Sequence, residues 1–314
     1  MNTKRPCWRP TKALFEPAPN PATGAGAWLR SARDRLEAVG IETASLDARM
    51  LLLDGLQLPH SVIVADPNLA LNPEEITQLE TMLERRLKRE PVSRILGWRE
   101  FYGRKFQITP HVLDPRHDTE ILVQTALDRI DAQFGPDHPC RFLDVGTGSG
   151  CIAVSLLSER PAWRGTATDL SFEALVTARQ NAETHKVIGR LDLVETSWAD
   201  KIAGPLDLIV SNPPYIPEAE INDLMPEVRE HDPHLALAGG GDGLQAYRQL
   251  FAAARGLFAD GGVLIVEIGE SQAESVRAAA VDAGLLSAPD QCDVVTDLAG
   301  HDRVIVLPVA GQKA

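Results

Sequence analysis

The segment Ser211-Asn212-Pro213-Pro214-Tyr215 contains residue types that can hold a planar NH₂ group. Two prolines fix φ and remove two backbone donors, so the segment presents acceptors, the Asn212 side-chain oxygen and the Pro213 carbonyl. Tyr215 adds an aromatic face for a flat group. Because the lone pair of an amide or aromatic amine is delocalised, accepting both of its hydrogens would make the nitrogen a better nucleophile. The pattern predicts alkylation of such a nitrogen, with catalytic and substrate-binding roles for Asn212, Pro213, Pro214 and Tyr215.

A second motif, at 142–150, is an apolar strand that runs into a glycine loop and then a helix. Its G-x-G-x-G spacing allows a sharp turn and lets the backbone approach a ligand closely. Asp169 ends the next strand, where a carboxylate can accept both hydroxyls of a ribose. Trp198 follows the third strand and could equally cover an adenine or pack in the core. The predicted cofactor-binding residues are Gly146, Thr147, Gly148, Ser149, Gly150, Asp169, Trp198 and Asn212.

The two motifs together indicate a nucleoside cofactor that carries an electrophilic methyl group on a sulfonium. An in-line displacement on that methyl needs positioning, but no metal, nucleophilic side chain or strong base. From the glycine loop alone, NAD binding remains an alternative. His231 and His234 stand beside Asp232 in an H-x-x-H spacing but lack the further ligands of a metal site, so we interpret them as a loop pair and expect no metal.

The elements that must position these motifs alternate between strand and helix from residue 141 onward. This alternation predicts a mainly parallel sheet that is covered on both faces and binds ligands at the carboxyl ends of its strands. The expected strands are 141–145, 165–169, 191–196, 206–210, 262–268, 292–296 and 304–307. Helices are expected to begin at Ser149, Ser171, Leu244 and Ser271.

The preceding part of the chain has helical periodicity. Two helices ending at Gly40 and Gly55 are predicted from apolar stripes, which are Trp28, Ala32, Leu36 and Val39, then Leu46, Met50, Leu51 and Leu53. A third helix is predicted from the Asn72 N-cap, with Glu75 completing a capping box. The basic cluster at its end is interpreted as a solvated helix terminus and consists of Arg85, Arg86, Lys88 and Arg89. Residues 94–113 have the pattern of a hairpin around Gly103.

Composition narrows the class of protein. Of 314 residues, 44% are hydrophobic and 24% charged, as in soluble proteins, and no apolar run is long enough to span a bilayer. A net charge of −13 argues against a surface that grips nucleic acid throughout. We therefore expect a monomer with no membrane partner and no direct nucleic-acid partner. The cysteines are widely spaced, so neither a zinc knuckle nor a disulfide framework is indicated and the cytoplasm is the expected compartment; they are Cys7, Cys140, Cys151 and Cys292.

Over about residues 27–308 the chain resembles the HemK-type glutamine methyltransferases, which modify class 1 peptide chain release factors. The matching motifs are Arg94 to Gly97, Asp118-Thr119-Glu120, Asp144 to Gly150, Asn212 to Ile216, Pro226 to Arg229, Leu235 to Leu237, Gly240, Asp242 to Leu244, Tyr247-Arg248, Asp297 to Gly300 and Arg303. The resemblance implies an α/β fold, a seven-stranded Rossmann-like class I methyltransferase sheet with a small N-terminal helical domain joined by a β-hairpin. The expected divisions are a disordered tail at 1–26, the helical substrate-recognition domain at 27–90, the hairpin linker at 91–115 and the S-adenosylmethionine-dependent methyltransferase domain at 116–310.

The resemblance also implies the reaction. S-adenosylmethionine would lie on Gly146 to Gly150 and Asp169, with Trp198 on its adenine, and would leave as S-adenosylhomocysteine. Asn212 would touch both cofactor and substrate, and the segment from Asn212 to Tyr215 would clamp the glutamine amide of a Gly-Gly-Gln loop, giving N5-methylglutamine. The helical domain would help to hold the release factor. Asp114 and His117 depart from the family pattern, and no catalytic role is assigned to His117.

Three alternatives remain open. An adenine N6-methyltransferase of DNA or RNA would use the same amine-binding segment, Asn212 to Tyr215 (the amine cage), to hold the NH₂ group of a flipped base, although such an enzyme should have a basic groove. A ribosomal-protein glutamine methyltransferase would perform the same chemistry on another protein. A cofactor-binding adaptor without turnover would leave the amine cage without a function.

Overall fold

The computed structural model describes residues 24–309, and the chain divides into two compact units, Met1–Lys88 and Arg89–Ala314. The predicted disordered tail lies outside the described residues except for 24–26. No helix of the described part of the chain is long and apolar enough to cross a membrane.

Four helices form the described part of the first unit. They are α1 (Ala25–Ala38), α2 (Ala44–Gly55), α3 (His60–Ala65) and α4 (Pro73–Leu87). The predicted capping box is confirmed, because the Asn72 side chain accepts from the Glu75 N–H at 2.9 Å and the Glu75 carboxylate accepts from the Asn72 N–H at 2.8 Å. Helix α3 was not predicted, since its six residues bury no side chain and leave no periodic signal.

Three details of the helical prediction are wrong. Val39 and Leu46, assigned to apolar stripes, are 46% and 57% exposed. Val39 follows the last residue of α1, and in α2 Leu51 and Leu53 of the predicted stripe are buried whereas Leu46 is not. Arg86, assigned to a solvated terminus, is buried and its Nε lies 2.7 Å from Oδ2 of the buried Asp47. A basic residue at a helix end can thus be internal when a carboxylate of a neighbouring helix neutralises it.

The second unit begins with a short helix and a hairpin. Helix α5 (Val92–Leu96) ends at Gly97, and strands β1 (Trp98–Phe101) and β2 (Arg104–Gln107) pair antiparallel. The hairpin is therefore shorter than predicted, and the region before Gly97 is helical. A five-residue apolar segment does not distinguish helix from strand by periodicity, which explains the error.

A seven-stranded, mainly parallel sheet follows, as predicted. Its strands are β3 (Arg141–Val145), β4 (Arg164–Asp169), β5 (Leu191–Glu195), β6 (Leu206–Ser211), β7 (Phe258–Glu267), β8 (Asp293–Thr296) and β9 (Asp302–Pro308). Their spatial order is β5-β4-β3-β6-β7-β9-β8, and β9 runs antiparallel to both of its neighbours. The remaining α-helices are α6 (Glu120–Phe134), α7 (Cys151–Glu159), α8 (Phe172–Thr184), α9 (Pro226–Arg229), α10 (Gln245–Ala254) and α11 (Ala273–Asp282).

The sheet is covered on both faces. Along β3, Phe142 packs into a cluster with α6, α7 and α8, whereas Leu143 packs into a second cluster with α10 and α11. This alternation is the period-two pattern of a central strand with two buried faces. Helix α6 was not predicted, yet its buried residues such as Leu122 and Ile130 form part of the first cluster. The two layers hold the strands so that their carboxyl ends share one edge.

Candidate active site

A cavity of about 500 Å³ lies at the carboxyl ends of β3, β4 and β6 within the second unit. It brings together nine of the eleven residues predicted for the site, which are Gly146, Thr147, Gly148, Ser149, Asp169, Trp198, Asn212, Pro213 and Pro214. Among the described residues, Gly150 and Tyr215 do not line it. Two motifs more than sixty residues apart in the sequence thus face one space.

The glycine loop forms one wall of this cavity. Gly146 and Gly148 have φ of +72° and +55°, and apart from each glycine and its two chain neighbours no heavy atom of residues 24–309 lies within 4 Å of where a Cβ would stand. The N–H groups of Gly146 and Thr147 both donate to the Thr168 carbonyl at 2.9 Å. These donors are therefore used to fix the loop, and the cavity is left with the bare glycine backbone, against which a flat or bulky ligand can pack.

Asp169 is held by backbone N–H groups on both carboxylate oxygens. Oδ2 accepts from Gly148 and Oδ1 from Ser171, each at 2.9 Å. Burial raises the pKa of this carboxyl, while the bonds from Ser171 and Gly148 oppose the shift. Each oxygen retains a second acceptor position, so the carboxylate can accept ligand hydroxyls without losing its orientation.

Asp144 lies beneath the same wall and is fully buried. Its Oδ2 accepts from the Thr147 hydroxyl at 2.7 Å and from the Ala153 N–H at 3.2 Å. Burial raises the pKa of Asp144 to about 7. The residue therefore shapes the loop from behind and does not line the cavity.

Trp198 lies at the end of the wall formed by the loop after β5. Its φ is +49°, and its carbonyl accepts from the Thr168 hydroxyl at 2.9 Å. The left-handed backbone is unusual for a large side chain, so the loop is fixed in a conformation that the Thr168 contact supports. Trp198 both lines the cavity and packs at the edge of the second core cluster.

The segment after β6 forms the opposite wall. Asn212 Nδ2 donates to the Thr119 hydroxyl at 3.0 Å, which turns the amide oxygen away from Thr119. Among residues 24–309, no group donates to Asn212 Oδ1 or to the Pro213 carbonyl. The two acceptors that the sequence assigned to a planar NH₂ group are therefore available.

Tyr215 occupies a different position from the other three residues of its motif. Its ring is packed against the second core cluster, and its hydroxyl lies 3.4 Å from Glu267 Oε1. The Tyr215 carbonyl accepts from the Gln272 side chain at 2.9 Å. Burial raises the pKa of the Tyr215 hydroxyl, so it is a neutral donor at neutral pH. In this structure the residue supports the segment from behind, and the stacking role stays a prediction.

Sequence reasoning missed Thr119, which lines the cavity, and Glu267, which does not line it but contacts Tyr215. Thr119 is 2% exposed, lines the cavity and lies just before α6, whereas Glu267 is 2% exposed at the end of β7. A glutamate that ends an apolar strand was a usable signal, because a buried carboxylate requires a reason. Nothing in the sequence alone joined Thr119 to Asn212.

The outer wall near 110–116 contains an ion-pair network. Asp232, buried, accepts from Arg94 at 2.6 Å and from Arg116 at 2.5 Å. The departure at Asp114 is accommodated beside it, since Asp114 is buried and accepts from the Ser93 hydroxyl at 2.6 Å. His117 is exposed and approaches Glu120 at 3.2 Å.

The two histidines of the H-x-x-H spacing do not form a metal site in this structure. His234 Nε2 lies 3.3 Å from Glu218 Oε1. Within residues 24–309, no group of three or more His, Cys, Asp or Glu side chains is arranged to hold a metal ion. The three described cysteines are buried free thiols.

The sheet order and the cavity at its strand ends define a class I methyltransferase fold. The catalytic domain of hMettl16, solved in complex with the MAT2A 3'UTR hairpin 6, has this fold with a TM-score of 0.51 at 12% identity, covering 77% of this chain and 84% of that chain. The PrmC N-terminal domain family matches residues 27–97, and the methyltransferase small domain family matches residues 118–241.

Full-length relatives are more specific. The chain is 44% identical over 277 residues to a release factor glutamine methyltransferase of Bradyrhizobium diazoefficiens, covering 88% of this chain and 92% of that protein. It is 42% identical over 276 residues to one of Geobacter sulfurreducens, covering 87% and 92%. The chain belongs to the release factor glutamine methyltransferase family, which confirms the resemblance inferred from its motifs.

Proposed function

We propose that this chain transfers a methyl group from S-adenosylmethionine to the side-chain amide nitrogen of the glutamine in the Gly-Gly-Gln motif of class 1 peptide chain release factors. One observation carries the proposal: a single cavity holds the glycine loop and Asp169 on one wall, and Asn212 with its oxygen unpartnered on the other. Family membership supplies the protein substrate.

The residues present fit the cofactor. The bare loop at Gly146 and Gly148 admits a ligand where any side chain would protrude, and Asp169 presents acceptor positions for the two ribose hydroxyls. Trp198 would cover the adenine. When bound, S-adenosylmethionine supplies the methyl group.

On the opposite wall, Asn212 Oδ1 and the Pro213 carbonyl would accept the two N–H bonds of the glutamine amide. By accepting these hydrogen bonds, the two oxygens would increase the electron density on the nitrogen and make it a better nucleophile. They would also hold its lone pair toward the methyl carbon. The N–C bond forms as the sulfur–carbon bond breaks, and the nitrogen then loses one proton to water. Asn212 and Pro213 would stabilise the positive charge that develops before this loss.

The proposal also specifies the macromolecular substrate and the oligomeric state of the chain. The helical unit would help to hold the release factor, and the net charge of −13 favours a protein substrate over a nucleic-acid groove. Monomeric action is part of the proposal.

Mass spectrometry of a release factor after incubation with the protein and S-adenosylmethionine tests the proposal. We expect a gain of one methyl on the peptide that contains the Gly-Gly-Gln motif. A factor whose loop glutamine is replaced by glutamate should gain none, and the natural factor should gain far less in the same time with the Asn212→Ala variant. Methylation of both factors, or of neither, would refute the substrate assignment. Parallel incubations with ribosomal proteins and with adenine-containing oligonucleotides test the two alternative substrates, a ribosomal-protein glutamine and an adenine.

A further inference from the structure

A buried carboxyl group stands behind the substrate wall of the cavity without a basic partner of its own. Glu267 ends β7, and the β6–β7 register pairs Ser211 with Val266, so Glu267 lies one step further along, beside Asn212. Its Oε1 lies 3.4 Å from the Tyr215 hydroxyl, and its Oε2 has no hydrogen-bond partner in the described part of the chain. The nearby Arg303 is engaged with Asp297 at 2.9 Å.

Such an arrangement is costly if its role is only structural. A carboxylate buried with loose contacts destabilises a fold relative to a neutral side chain of the same size. By contrast, buried Asp232 receives charged hydrogen bonds from two arginines, Arg94 and Arg116. Asp114 and Asp144 also have one unpartnered oxygen each, but their other oxygens accept short bonds of 2.6 and 2.7 Å, whereas the Glu267 contact with Tyr215 is 3.4 Å long. So weakly held a carboxyl directly behind a reactive segment calls for a functional explanation.

We propose that Glu267 is a positioning residue which, through the hydroxyl groups of Thr119 and Tyr215, keeps Asn212 turned with its oxygen toward the substrate. This inference rests on the proposed function. The Tyr215 hydroxyl lies 3.4 Å from Glu267 Oε1, the Thr119 hydroxyl acts on Glu267 by lowering the pKa of its carboxyl, and the Thr119 oxygen accepts from Asn212 Nδ2 at 3.0 Å. Hydrogen bonds of this kind are often long in a free enzyme and tighten when the substrate is bound.

The Thr119 hydroxyl has a single proton, and the acceptor of that proton determines which atom of the Asn212 amide faces the cavity. The Thr119 oxygen accepts from Asn212 Nδ2, which leaves the hydroxyl proton to another acceptor, and in the proposed link that acceptor is the ionised Glu267. Asn212 Oδ1 is then the atom presented to the cavity. When Glu267 is protonated, Thr119 is free to donate to Asn212 Oδ1 instead, and the amide can turn its NH₂ toward a substrate that also carries NH₂.

The inference predicts that activity requires the ionised form of Glu267. The pKa of Glu267 is raised to about 7, because burial, with a smaller contribution from Asp118, outweighs the lowering by Thr119, Arg303 and Tyr215. The turnover number should therefore rise as the pH increases through about 7. The titratable and charged groups that act on Glu267 or are acted on by it are Asp118, Arg303, Tyr215, Tyr247 and Cys151.

The first test compares Thr119→Val with Thr119→Ser. Valine has the same shape but no hydroxyl, and the Thr119 side chain makes no capping bond to α6, so neither change should affect folding. We expect Thr119→Val to lower kcat roughly tenfold to a hundredfold with little change in KM, and Thr119→Ser to retain most of the activity. Full activity of Thr119→Val would overturn the proposal.

The second test uses Glu267→Gln, with kcat and thermal unfolding measured from pH 6 to pH 9. We expect a lower kcat, loss of the acidic limb of the kcat profile, and a Tm at pH 8 no lower than that of the parent protein. A merely structural glutamate would lose stability and activity together. An acidic limb that persists unchanged in Glu267→Gln would contradict the assignment.

A third measurement does not depend on methylation. In protein labelled at the glutamate carboxyl carbons and asparagine side-chain nitrogens, NMR titration should show the Asn212 Nδ2 signal moving with the Glu267 midpoint. Glu267→Gln and Asn212→Asp identify the two signals, and Thr119→Val should abolish the coupling. If the parent protein fails to methylate a release factor, the proposed function fails, whereas positioning by Glu267 fails only if the Asn212 signal ignores the Glu267 titration.

Discussion

Asp144 and Glu267 are buried carboxyl groups that lie behind opposite walls of one cavity, and burial raises the pKa of each to about 7. They differ in what holds them. Asp144 Oδ2 accepts from Thr147 and Ala153, close neighbours in the sequence, at 2.7 and 3.2 Å, while its Oδ1 has no partner among the described residues. Glu267 Oε1 lies 3.4 Å from the Tyr215 hydroxyl, and the two hydroxyl groups that lower the pKa of Glu267, those of Thr119 and Tyr215, are far away in the sequence. One acid therefore fixes a local loop, whereas the other joins three separate segments behind the reacting group.

The largest effect should come from the wall that touches the substrate. Asn212→Ala removes the preorganised acceptor and should lower kcat roughly 10²- to 10³-fold with little change in Tm. Steady-state methylation of a release factor and thermal unfolding measure the two quantities. Asn222→Ala is a control at an exposed asparagine and should leave both unchanged. Activity of Asn212→Ala within a few-fold of the parent protein would remove Asn212 from the catalytic site.

A substitution in the wall assigned to the cofactor should change the affinity for S-adenosylmethionine. Asp169→Ala removes the charged acceptor assigned to the ribose and should raise the Kd for S-adenosylmethionine roughly tenfold to a hundredfold, as for a hydrogen bond to a charged group. Isothermal titration calorimetry measures this constant directly. Asp192→Asn, at an exposed position of β5, is the matched control. An unchanged Kd for Asp169→Ala would exclude the residue from the ribose site.

A smaller loss of affinity is expected at Trp198. Replacing it with alanine should weaken cofactor binding by about tenfold, because stacking of a base on an aromatic ring contributes about 1–3 kcal/mol. Trp198→Phe keeps an aromatic face and should recover most of the affinity. If Trp198→Ala lowers only the Tm, the side chain packs in the core and does not cover the adenine.

The contrast between contacts that are local in the sequence and contacts that are distant in it also explains which parts of the site could be predicted from the sequence. The glycine loop, Asp169 and the strand ends that carry them were predictable because each depends on local pattern and on parallel-sheet topology. Asn212 and Pro213 were predictable from residue chemistry. Thr119 was not, because it precedes an unpredicted helix, and only tertiary structure brings its hydroxyl to 3.0 Å from Asn212 Nδ2.

The errors have the same physical origin. The basic end of α4 was interpreted as solvated because its pattern is common to exposed helix termini, and the buried Asp47 that neutralises Arg86 lies on another helix. The short helix α5 was interpreted as part of a hairpin because five residues hold too little periodicity. In each case the deciding contact is distant in the sequence.

The smallest expected effect concerns stability and pH, and it separates the two buried acids. For each, the folded-state pKa of about 7 exceeds the unfolded value, so the folded state binds more protons between these values and loses stability as the pH rises toward 7. Each acid should contribute a loss of about 1 kcal/mol in the free energy of unfolding between pH 6 and pH 8. Urea unfolding at both pH values measures it.

Asp144→Asn and Glu267→Gln should each reduce that loss, because each replaces a titrating group by a neutral amide that can still accept a hydrogen bond. Their effects on kcat should differ. Asp144→Asn retains the local bonds to Thr147 and Ala153, so its kcat and its acidic limb should stay close to those of the parent protein, whereas Glu267→Gln should lose both. Equal losses of activity in the two variants would mean that burial of an acid near the cavity matters, and that the connection from Glu267 through Thr119 to Asn212 does not.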